Sequence, residues 1–413
     1  MRTILFTTTI LAPAAALAGG YAIPTESPRD LALSQSAVAA QTGADAILLN
    51  VSALAGQEGL DASLAGALLN NRTDWSAPDL GSASLVPQNS MPPTASVGYG
   101  GRLDNGMGWG AGIGFGVIGV GTIKWPNGWA GQEQIQSVTQ RVYQMAAGVA
   151  FQPLPYLKVG ADYIRYHETL ELHQALNYLD HYGDAGLAVS GGGNSFGVAA
   201  EFRVPTIPLT IGATYRRSAT LSMSGDAHFT AVPPADQVQL HDQGVTEHVT
   251  FPDFADLGAA YEVMPDLKVM ASVSLERWSV YDKDTFVGAD GFMASVPRNY
   301  KNAFIYRIGG EWQHVPFLPG LTLRVGGLRS VSDQPHDTVS PSLTDGNSTA
   351  GSVGAGYDVV PGVRIDLGYQ HVFFDKVTAA TGPDTFPGTY KTQVDLVALG
   401  INWRTDLKFL SGR

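Results

Sequence analysis

The sequence predicts an all-β fold: a transmembrane antiparallel β-barrel of 14 strands with an N-terminal α-helical plug inside its lumen. Charged residues make up only 15% of the 413-residue chain, whereas soluble domains average about 25%. Glycine is abundant, with 49 residues, and aromatic residues reach 9%. Segments of alternating apolar and polar residues recur from about Leu60 to the end, as expected for a wall in which every second residue faces lipid.

The first 18 residues have the features of a secretory signal peptide. Arg2 supplies an early positive charge, residues 4–11 form an apolar run, and residues 16–18 (Ala-Leu-Ala) match a cleavage site. The apolar run is too short to anchor the chain across a bilayer, and no later run is long enough for a membrane-spanning helix. Cysteine is absent, which excludes disulfides. We therefore expect an exported protein whose mature chain begins at Gly19.

Residues 19–56 differ from the rest of the chain, because they are rich in alanine and serine and weakly helical. A barrel of 14 strands leaves a lumen unless something fills it. An open pore of that width would leak, and residues 19–56 are the segment left over to close it. The sequence therefore predicts a signal peptide at residues 1–18, a plug at 19–56 and a barrel at 57–413.

The strands are predicted from alternation with a period of two. In residues 364–369, for example, Ile365, Leu367 and Tyr369 alternate with more polar or smaller residues. An even number of strands brings both termini to the periplasmic side. The predicted strands start near Leu60, Thr94, Met107, Val138, Tyr156, Asp184, Pro208, Thr246, Leu267, Tyr300, Gly320, Asn347, Gly362 and Tyr390.

Short and long connections alternate along the chain. Residues 104–106 (Asp-Asn-Gly) and 360–362 (Val-Pro-Gly) have the composition of tight turns, whereas residues 124–136 and 231–244 are longer polar connections. Outer-membrane barrels have this layout, with short periplasmic turns and long external loops. A soluble secreted β-sandwich is the alternative, but it requires neither this alternation nor so many strands.

Three stretches carry a resemblance to a known family. Residues 45–46 (Asp-Ala) and 50–55 (Asn-Val-Ser-Ala-Leu-Ala) lie in the plug just before the first strand. Residues 251–253 (Phe-Pro-Asp) lead to 276–279 (Glu-Arg-Trp-Ser), and residues 300–303 read Tyr-Lys-Asn-Ala. In this order the stretches resemble the FadL family of outer-membrane transporters for long-chain fatty acids and other hydrophobic compounds. The family has an Asn-Pro-Ala-type motif in its plug, where this chain has valine and serine after the asparagine.

The resemblance implies an outer-membrane channel for diffusion-driven uptake of hydrophobic compounds, such as long-chain fatty acids or aromatic hydrocarbons. Ligand would be captured externally, bound in the barrel above the plug and released laterally through a kinked third strand. The implied surroundings are outer-membrane lipid and lipopolysaccharide. We expect a monomer without a cofactor, and the net charge of −12 argues against nucleic acid as a partner.

The resemblance also implies where ligand would contact the plug and the lateral gate. The third strand, at residues 107–121, is rich in glycine, which weakens a strand and permits bulges. The alternative is a third strand packed closely against the plug without an opening. The candidate ligand-binding and gate residues are Gly19, Gly20, Tyr21, Asn50, Val51, Ser52, Gly112, Gly114 and Gly116.

A long-chain acid needs an apolar slot and a cation near its carboxylate. Six cations have the parity of lumen-facing residues: Lys158, Arg216, Lys268, Arg307, Arg324 and Arg364. Each could instead pair with a lumen carboxylate and stiffen the wall, and the sequence leaves both roles open. We also expect Asp395 to face the lumen, and Trp125 and Trp129 to be exposed on an external loop where they either catch ligand or dip into lipid.

Catalysis has little support in the sequence. The nine histidines are scattered, and neither a nucleophile elbow nor a zinc-binding helix motif accompanies them. We therefore expect no enzyme and no bound metal. A general porin and a lipid-modifying barrel enzyme remain the alternatives to a hydrophobic-compound channel.

Overall fold

A single antiparallel sheet closes on itself to form the barrel. The computed structural model describes residues 27–291, 293–331, 334–342, 344–379 and 386–405. The first strand pairs with the last, from Leu60 opposite Thr405 to Ser76 opposite Thr389. The strand segments are β1 (Gly59–Ala77), β2 (Gly81–Ser84), β3 (Asn89–Ser90), β4 (Pro93–Arg102), β5 (Gly108–Lys124), β6 (Ser137–Leu154), β7 (Leu157–Asn177), β8 (Tyr182–Arg203), β9 (Leu209–Arg216), β10 (Ala219–Phe229), β11 (Gln243–Phe251), β12 (Phe254–Met264), β13 (Leu267–Glu276), β14 (Lys283–Gly288), β15 (Met293–Pro297), β16 (Ala303–Trp312), β17 (Leu321–Val331), β18 (Ser348–Val360), β19 (Val363–Phe374), β20 (Val377–Ala379) and β21 (Gly388–Thr405).

These segments make up 14 barrel strands, which confirms the predicted fold class and strand number. In each barrel strand one segment begins within three residues of the predicted start, although the second barrel strand as a whole begins earlier, at β2. Several barrel strands consist of two or more segments: β2 to β4 form the second, β9 and β10 the seventh, and β11 and β12 the eighth. The third barrel strand is β5, which pairs with β4 and β6.

An apolar band covers the outside of the barrel. Large apolar residues at alternate positions are exposed, for example Leu64, Phe196 and Ile308. Beyond this band the outward residues become polar, and on β11 the exposed side chains are those of Thr246 and His248. The external ends of the strands therefore project beyond the lipid, as in outer-membrane barrels with long external loops.

The plug lies inside the barrel, where its described part, residues 27–56, is mostly buried. It contains the short helices α1 (Pro28–Ala32) and α2 (Ala46–Leu49) and a 3-10 helix at Val51–Gly56. It is less helical than predicted, because the chain mainly follows the wall in turns. No helix of the described residues is long and apolar enough to cross a membrane.

Glycines on the wall let the plug backbone approach the strands closely. A Cβ atom at Gly160 of β7 would lie 2.9 Å from the Ser52 nitrogen, and one at Gly212 of β9 would lie 2.7 Å from the Val38 oxygen. Real Cβ atoms do not come this close to other heavy atoms. Glycines that would similarly collide with the plug recur around the barrel at Gly110, Gly148, Gly258, Gly309, Gly326, Gly354 and Gly368. The plug is therefore held by direct backbone contact around the circumference.

We predict that Gly160→Val separates the plug from the wall. Overpacking of this kind costs roughly 1–3 kcal/mol, so the variant should show a higher ion conductance in planar bilayers than the parent protein. Gly351→Val on β18 is the matched control, because nothing lies within 4 Å of a Cβ atom at that glycine. Equal conductance in the parent and in Gly160→Val would contradict close contact between plug and wall.

Candidate functional site

A cavity lies between the plug and the external half of the lumen. The volume of this cavity that a water-sized molecule can enter is about 170 Å³. Apolar and polar side chains both reach it, as is usual for a site that binds an amphiphile. Its lining includes Gln35, Val38, Leu49 and Asn50 of the plug and Ile118, Gln144, Tyr166, Arg216, Ile305, Arg307, Leu328 and Val372 of the wall.

Two of the predicted lumen cations, Arg216 and Arg307, line this cavity. Arg216 donates hydrogen bonds to the carbonyl oxygen of Leu48 in the plug and, at 3.4 Å, to the side chain of Gln144. Arg307 donates to the hydroxyl of Ser274 and, at 3.5 Å, to the side chain of a plug glutamine. Both guanidinium groups therefore connect wall and plug at the surface of the cavity.

Three other predicted cations form ion pairs on the periplasmic side of the plug. Lys158 lies 2.7 Å from Glu201. Arg324 contacts Glu311 at 2.8 Å and Asp366 at 2.6 Å, and Arg364 contacts the same Asp366 at 3.2 Å. These pairs have the structural arrangement that the sequence left open as an alternative.

Lys268 is the remaining cation of the predicted set. It lies opposite Glu311 in the ladder between β13 and β16. Within the described ranges it forms no ion pair of 4 Å or less, because the two arginines Arg29 and Arg324 already contact that carboxylate. Lys268 is also absent from the lining of the cavity above the plug.

Asn50 organises the turn that leads into the 3-10 helix of the plug. Its side-chain oxygen accepts hydrogen bonds from the Ser52 backbone nitrogen at 3.1 Å and from the Ser52 hydroxyl at 2.6 Å. Its amide nitrogen donates to the Val38 oxygen at 2.7 Å. Asn50 also lines the cavity, whereas Val51 and Ser52 pack against wall glycines. The other predicted plug residues, Gly19, Gly20 and Tyr21, lie outside the described residues.

The third barrel strand loses its pairing with the second partway along. Gly112 and Gly114 have ladder partners on both sides. A Cβ atom would lie 3.2 Å from the plug residue Leu54 at Gly112 and 2.6 Å from the plug residue Ile47 at Gly114. The ladder between β4 and β5 ends at Phe115, whereas pairing with β6 continues to Lys124. Gly116 is therefore the first residue of β5 that lies beyond the ladder with β4.

Beyond Phe115 the third strand bends into the lumen. The register between β5 and β6 shifts between Val117 and Gly119, so that Ile118 is the bulged residue, and Ile118 lines the cavity. Val117 and Val120 belong to one buried cluster with the inward-facing residues Ala67, Leu69, Val394, Leu396 and Ala398 of β1 and β21. The upper part of β5 therefore packs against the inner face of neighbouring strands.

The external end of the lumen is closed by aromatic residues from several loops. Trp125 and Trp129 stack with ring centroids 4.4 Å apart, and Trp129 lies 5.6 Å from Trp75 of β1 and 5.4 Å from Phe386. The indole of Trp125 also donates a hydrogen bond to the Pro341 oxygen at 3.1 Å. The predicted exposure of Trp125 and Trp129 is wrong, because the loops converge and bury both rings against each other.

Asp395 faces outward, so the prediction that it faces the lumen is wrong. Its neighbours Val394 and Leu396 point inward and are buried. The Asp395 carboxylate accepts a hydrogen bond from the Tyr369 hydroxyl at 2.8 Å, and it lies 2.7 Å from His371 and 3.4 Å from Arg72. These partners compensate the carboxylate at the external edge of the apolar band.

A polar cluster, separate from the ion pairs on the periplasmic side of the plug, is buried near the external end of the lumen. Glu168, Glu247 and Asp284 are each 1% exposed, and Arg298 lies 2.7 Å from Asp284. No group of three or more acidic, histidine or cysteine residues in the described ranges could hold a metal ion. Burial raises the pKa of Asp284, and burial together with Asp284 and Glu168 raises the pKa of Glu247.

The chain therefore combines the features of a plugged channel: a closed barrel with an apolar outer band, an internal plug, a luminal cavity and a break in the wall beside it. Comparison with known families agrees with this class. The chain belongs to the outer membrane protein transport family (OMPP1/FadL/TodX), which it matches over residues 9–406. It is thus a member of a family of outer-membrane transport channels, and the proteins of this family are not enzymes.

Several solved structures have a similar fold. A FadL homologue of Pseudomonas aeruginosa superposes with a TM-score of 0.83 at 15% identity, covering 94% of this chain and 100% of that chain. The toluene transporter TodX of P. putida has a TM-score of 0.72 at 16% identity, with coverages of 91% and 97%. The toluene transporter TbuX of Ralstonia pickettii has a TM-score of 0.68 at 18% identity, with coverages of 92% and 98%. At these identities the likeness shows the fold.

One curated relative is the 47 kDa outer membrane protein of Pasteurella multocida (strain Pm70). It is 25% identical over 209 residues, which cover 47% of this chain and 46% of that protein. The chain therefore spans about half the length of the curated relative that it matches.

We predict that Glu247→Gln stabilises the protein at alkaline pH. Because its pKa is raised in the folded state, Glu247 favours folding while it is protonated, and this contribution is lost as the pH rises through the folded-state value. The variant should gain roughly 1–3 kcal/mol at pH 8 and should match the parent near pH 4. Thermal unfolding followed by heat-modifiable gel migration measures this.

Glu171→Gln is the control for this prediction, because Glu171 faces outward on the same projecting part of the barrel and is exposed. The prediction fails if the Glu247→Gln variant and the parent lose stability in parallel between pH 4 and pH 8.

Proposed function

We propose that the protein takes up long-chain fatty acids or similar hydrophobic compounds by diffusion and releases them laterally through the third barrel strand. The observation that carries this proposal is the bulge at Ile118, which touches the cavity where β5 has already left its ladder with β4. A ligand in the cavity would therefore reach a part of the wall that lacks continuous backbone pairing on one side.

The second barrel strand contributes to this break. It consists of the segments β2, β3 and β4, and prolines occupy positions 87, 92 and 93 between or at the start of them. Proline has no backbone N–H to donate to a ladder. Ligand would leave between this interrupted strand and the inward bend of β5. It would then enter the hydrocarbon region of the membrane directly, where an apolar compound is soluble.

The plug would act as the floor of the binding cavity. Asn50 and Gln35 line the cavity, whereas the periplasmic side of the plug is surrounded by the ion pairs of Arg324 and Lys158. An apolar ligand would meet an unfavourable charged environment if it continued straight down. The proposal extends to Gly19, Gly20 and Tyr21 as ligand contacts of the plug N-terminus and to Gly112, Gly114 and Gly116 as parts of the gate.

The ligand class that we favour is an apolar chain with an acidic head. Arg216 and Arg307 offer guanidinium groups at a cavity whose other walls include Leu49, Ile305 and Leu328. The solved relatives TodX and TbuX are toluene transporters by name, so an aromatic hydrocarbon is the alternative ligand. We further propose that the signal peptide ends at Ala18, that residues 19–56 and 57–413 act as plug and barrel, and that the protein functions as a monomer surrounded by lipid and lipopolysaccharide.

A general porin is the competing class. Apolar residues fill much of the external half of the lumen, including Tyr166, Leu187, Met223 and Phe286. Such a lining disfavours the passage of hydrated ions and polar solutes. A polar porin would conduct ions without any change to its plug.

We predict that Ile118→Trp obstructs the lateral route. The larger side chain would fill the space between cavity and bulge, and a barrier increase of about 1.4 kcal/mol would slow flux about tenfold. Uptake of a radiolabelled long-chain fatty acid by cells measures this. Ile113→Trp is the control, since Ile113 is on the same strand but faces lipid. Undiminished uptake in a correctly folded Ile118→Trp variant would exclude this route.

A second prediction separates acids from hydrocarbons. Replacing both Arg216 and Arg307 by glutamine should weaken the binding of a long-chain carboxylate about tenfold, the loss expected for one charge-assisted hydrogen bond. Binding of the alcohol of equal chain length should change little. Calorimetric titration in detergent measures both affinities, and Arg364→Gln, on the periplasmic side of the plug, is the control. An equal loss for acid and alcohol would mean that the arginines do not recognise the head group.

A further inference from the structure

Outward-facing arginines lie at the external edge of the apolar band, although the chain as a whole carries a net charge of −12. Three of them are paired: Arg72 with Asp395 at 3.4 Å, Arg277 with Asp253 at 2.8 Å and Arg329 with Asp375 at 2.8 Å. Other outward-facing arginines near the external ends of the strands are Arg141, Arg165 and Arg217. This level of an outer-membrane barrel is where phosphate groups of the outer leaflet lie.

Among the described residues, the wall formed by β6, β7 and β8 carries arginines at this level that form no ion pair. Arg165 of β7 is half-buried and is held by Asn194 of β8, whose side-chain oxygen accepts its hydrogen bond at 3.0 Å. In the part of the chain that the structure describes, neither Arg165 nor Arg141 forms an ion pair of 4 Å or less. The outward carboxylate on β7, Glu171, lies further out and is exposed.

Further polar groups surround Arg165 on the same face. Two residues closer to the external end of β7, His167 stacks on Tyr143 of β6 with ring centroids 6.3 Å apart. Arg141 of β6 pairs in the ladder with Thr169, four residues beyond Arg165, which corresponds to roughly 13 Å along the strand. Two arginines at this distance could contact two phosphate groups of one large head group.

An apolar groove lies immediately on the membrane side of Arg165. The next lipid-facing residue of β7 on the periplasmic side of Arg165 is Tyr163. Tyr163 packs edge to face on Phe196 at 5.5 Å and donates a hydrogen bond to Asn194 at 2.7 Å. Alanines at 147 and 161 form the floor of the groove, and the larger side chains Val149, Tyr163, Phe196 and Val198 form its rim. The small side chains of the floor leave space for an acyl chain between the larger side chains of the rim.

We propose that this face of β6, β7 and β8 binds a phosphorylated glycolipid of the outer leaflet. Its phosphates would contact Arg165 and Arg141, and one of its acyl chains would occupy the groove below Tyr163. Arginine suits this role, because its planar guanidinium donates two parallel hydrogen bonds to phosphate. The inference rests on the lipopolysaccharide contact proposed above and does not depend on which compound the channel carries.

The arginines lie closer to the external side than the groove does, and this order favours a lipid of the outer leaflet. In an outer-leaflet lipid the phosphates lie outward and the acyl chains point to the middle of the bilayer, which matches arginines outside and groove inside. An inner-leaflet phospholipid has the opposite orientation and would place its acyl chains where the arginines are. A lipid with one phosphate would use only part of the site, so we expect a preference for diphosphoryl lipid A.

The test is native mass spectrometry of the intact protein, purified in mild detergent and titrated with diphosphoryl lipid A. We expect a bound lipid on the parent protein, and about tenfold weaker binding to an Arg141→Gln/Arg165→Gln variant, as for the loss of one charge-assisted contact. Arg329→Gln is the matched control, because Arg329 lies at the same level but is already neutralised by Asp375. Ala161→Trp fills the groove and should weaken binding without removing a charge.

Parallel titrations with monophosphoryl lipid A, phosphatidylglycerol and inorganic phosphate distinguish the sources of phosphate. If all three compounds bind the parent protein more weakly than diphosphoryl lipid A does, the result supports the proposed site. Equal binding of lipid A to the parent and to the double arginine variant, or an equal loss in Arg329→Gln, would overturn it. Heat-modifiable gel migration verifies that each variant is folded, and fatty acid uptake, which we expect to be unchanged, separates this result from a failure of the proposed transport function.

Discussion

A barrel of 14 strands is too wide for its own side chains to fill, and this constraint underlies the rest of the structure. The lumen is closed by a segment of the same chain, which requires close contact between its backbone and the wall. Glycines such as Gly160 and Gly212 provide that contact, because any side chain there would collide with the plug. The glycine content of the chain thus serves the packing of the plug as well as the third strand.

Ion pairs add a second attachment at the periplasmic end. Arg29 of α1 reaches Glu311 of β16 at 2.8 Å, and the same carboxylate accepts from Arg324, which in turn contacts Asp366. Removing one member of such a buried network leaves an uncompensated charge, which is strongly destabilising. Helix α1 of the plug is therefore anchored to the wall.

The two halves of the lumen differ in chemistry. The periplasmic half is charged and paired, whereas the external half is largely apolar and is closed by the tryptophans of its loops. A hydrophobic ligand held between these halves meets charged groups on the periplasmic side and closed loops on the external side, so the wall is the remaining direction. The inward bend of β5 at Ile118 lies on that side. Architecture and polarity thus favour the same lateral direction.

The sequence by itself determined the barrel and its strand number, because alternation, turn composition and connection length are local properties. It also identified the set of lumen cations by parity. Only the tertiary structure separated Arg216 and Arg307, which reach the cavity, from Lys158 and Arg324, which find carboxylates on neighbouring strands. It likewise turned Asp395 outward, because partners and cavities depend on the ladder register between residues far apart in the chain.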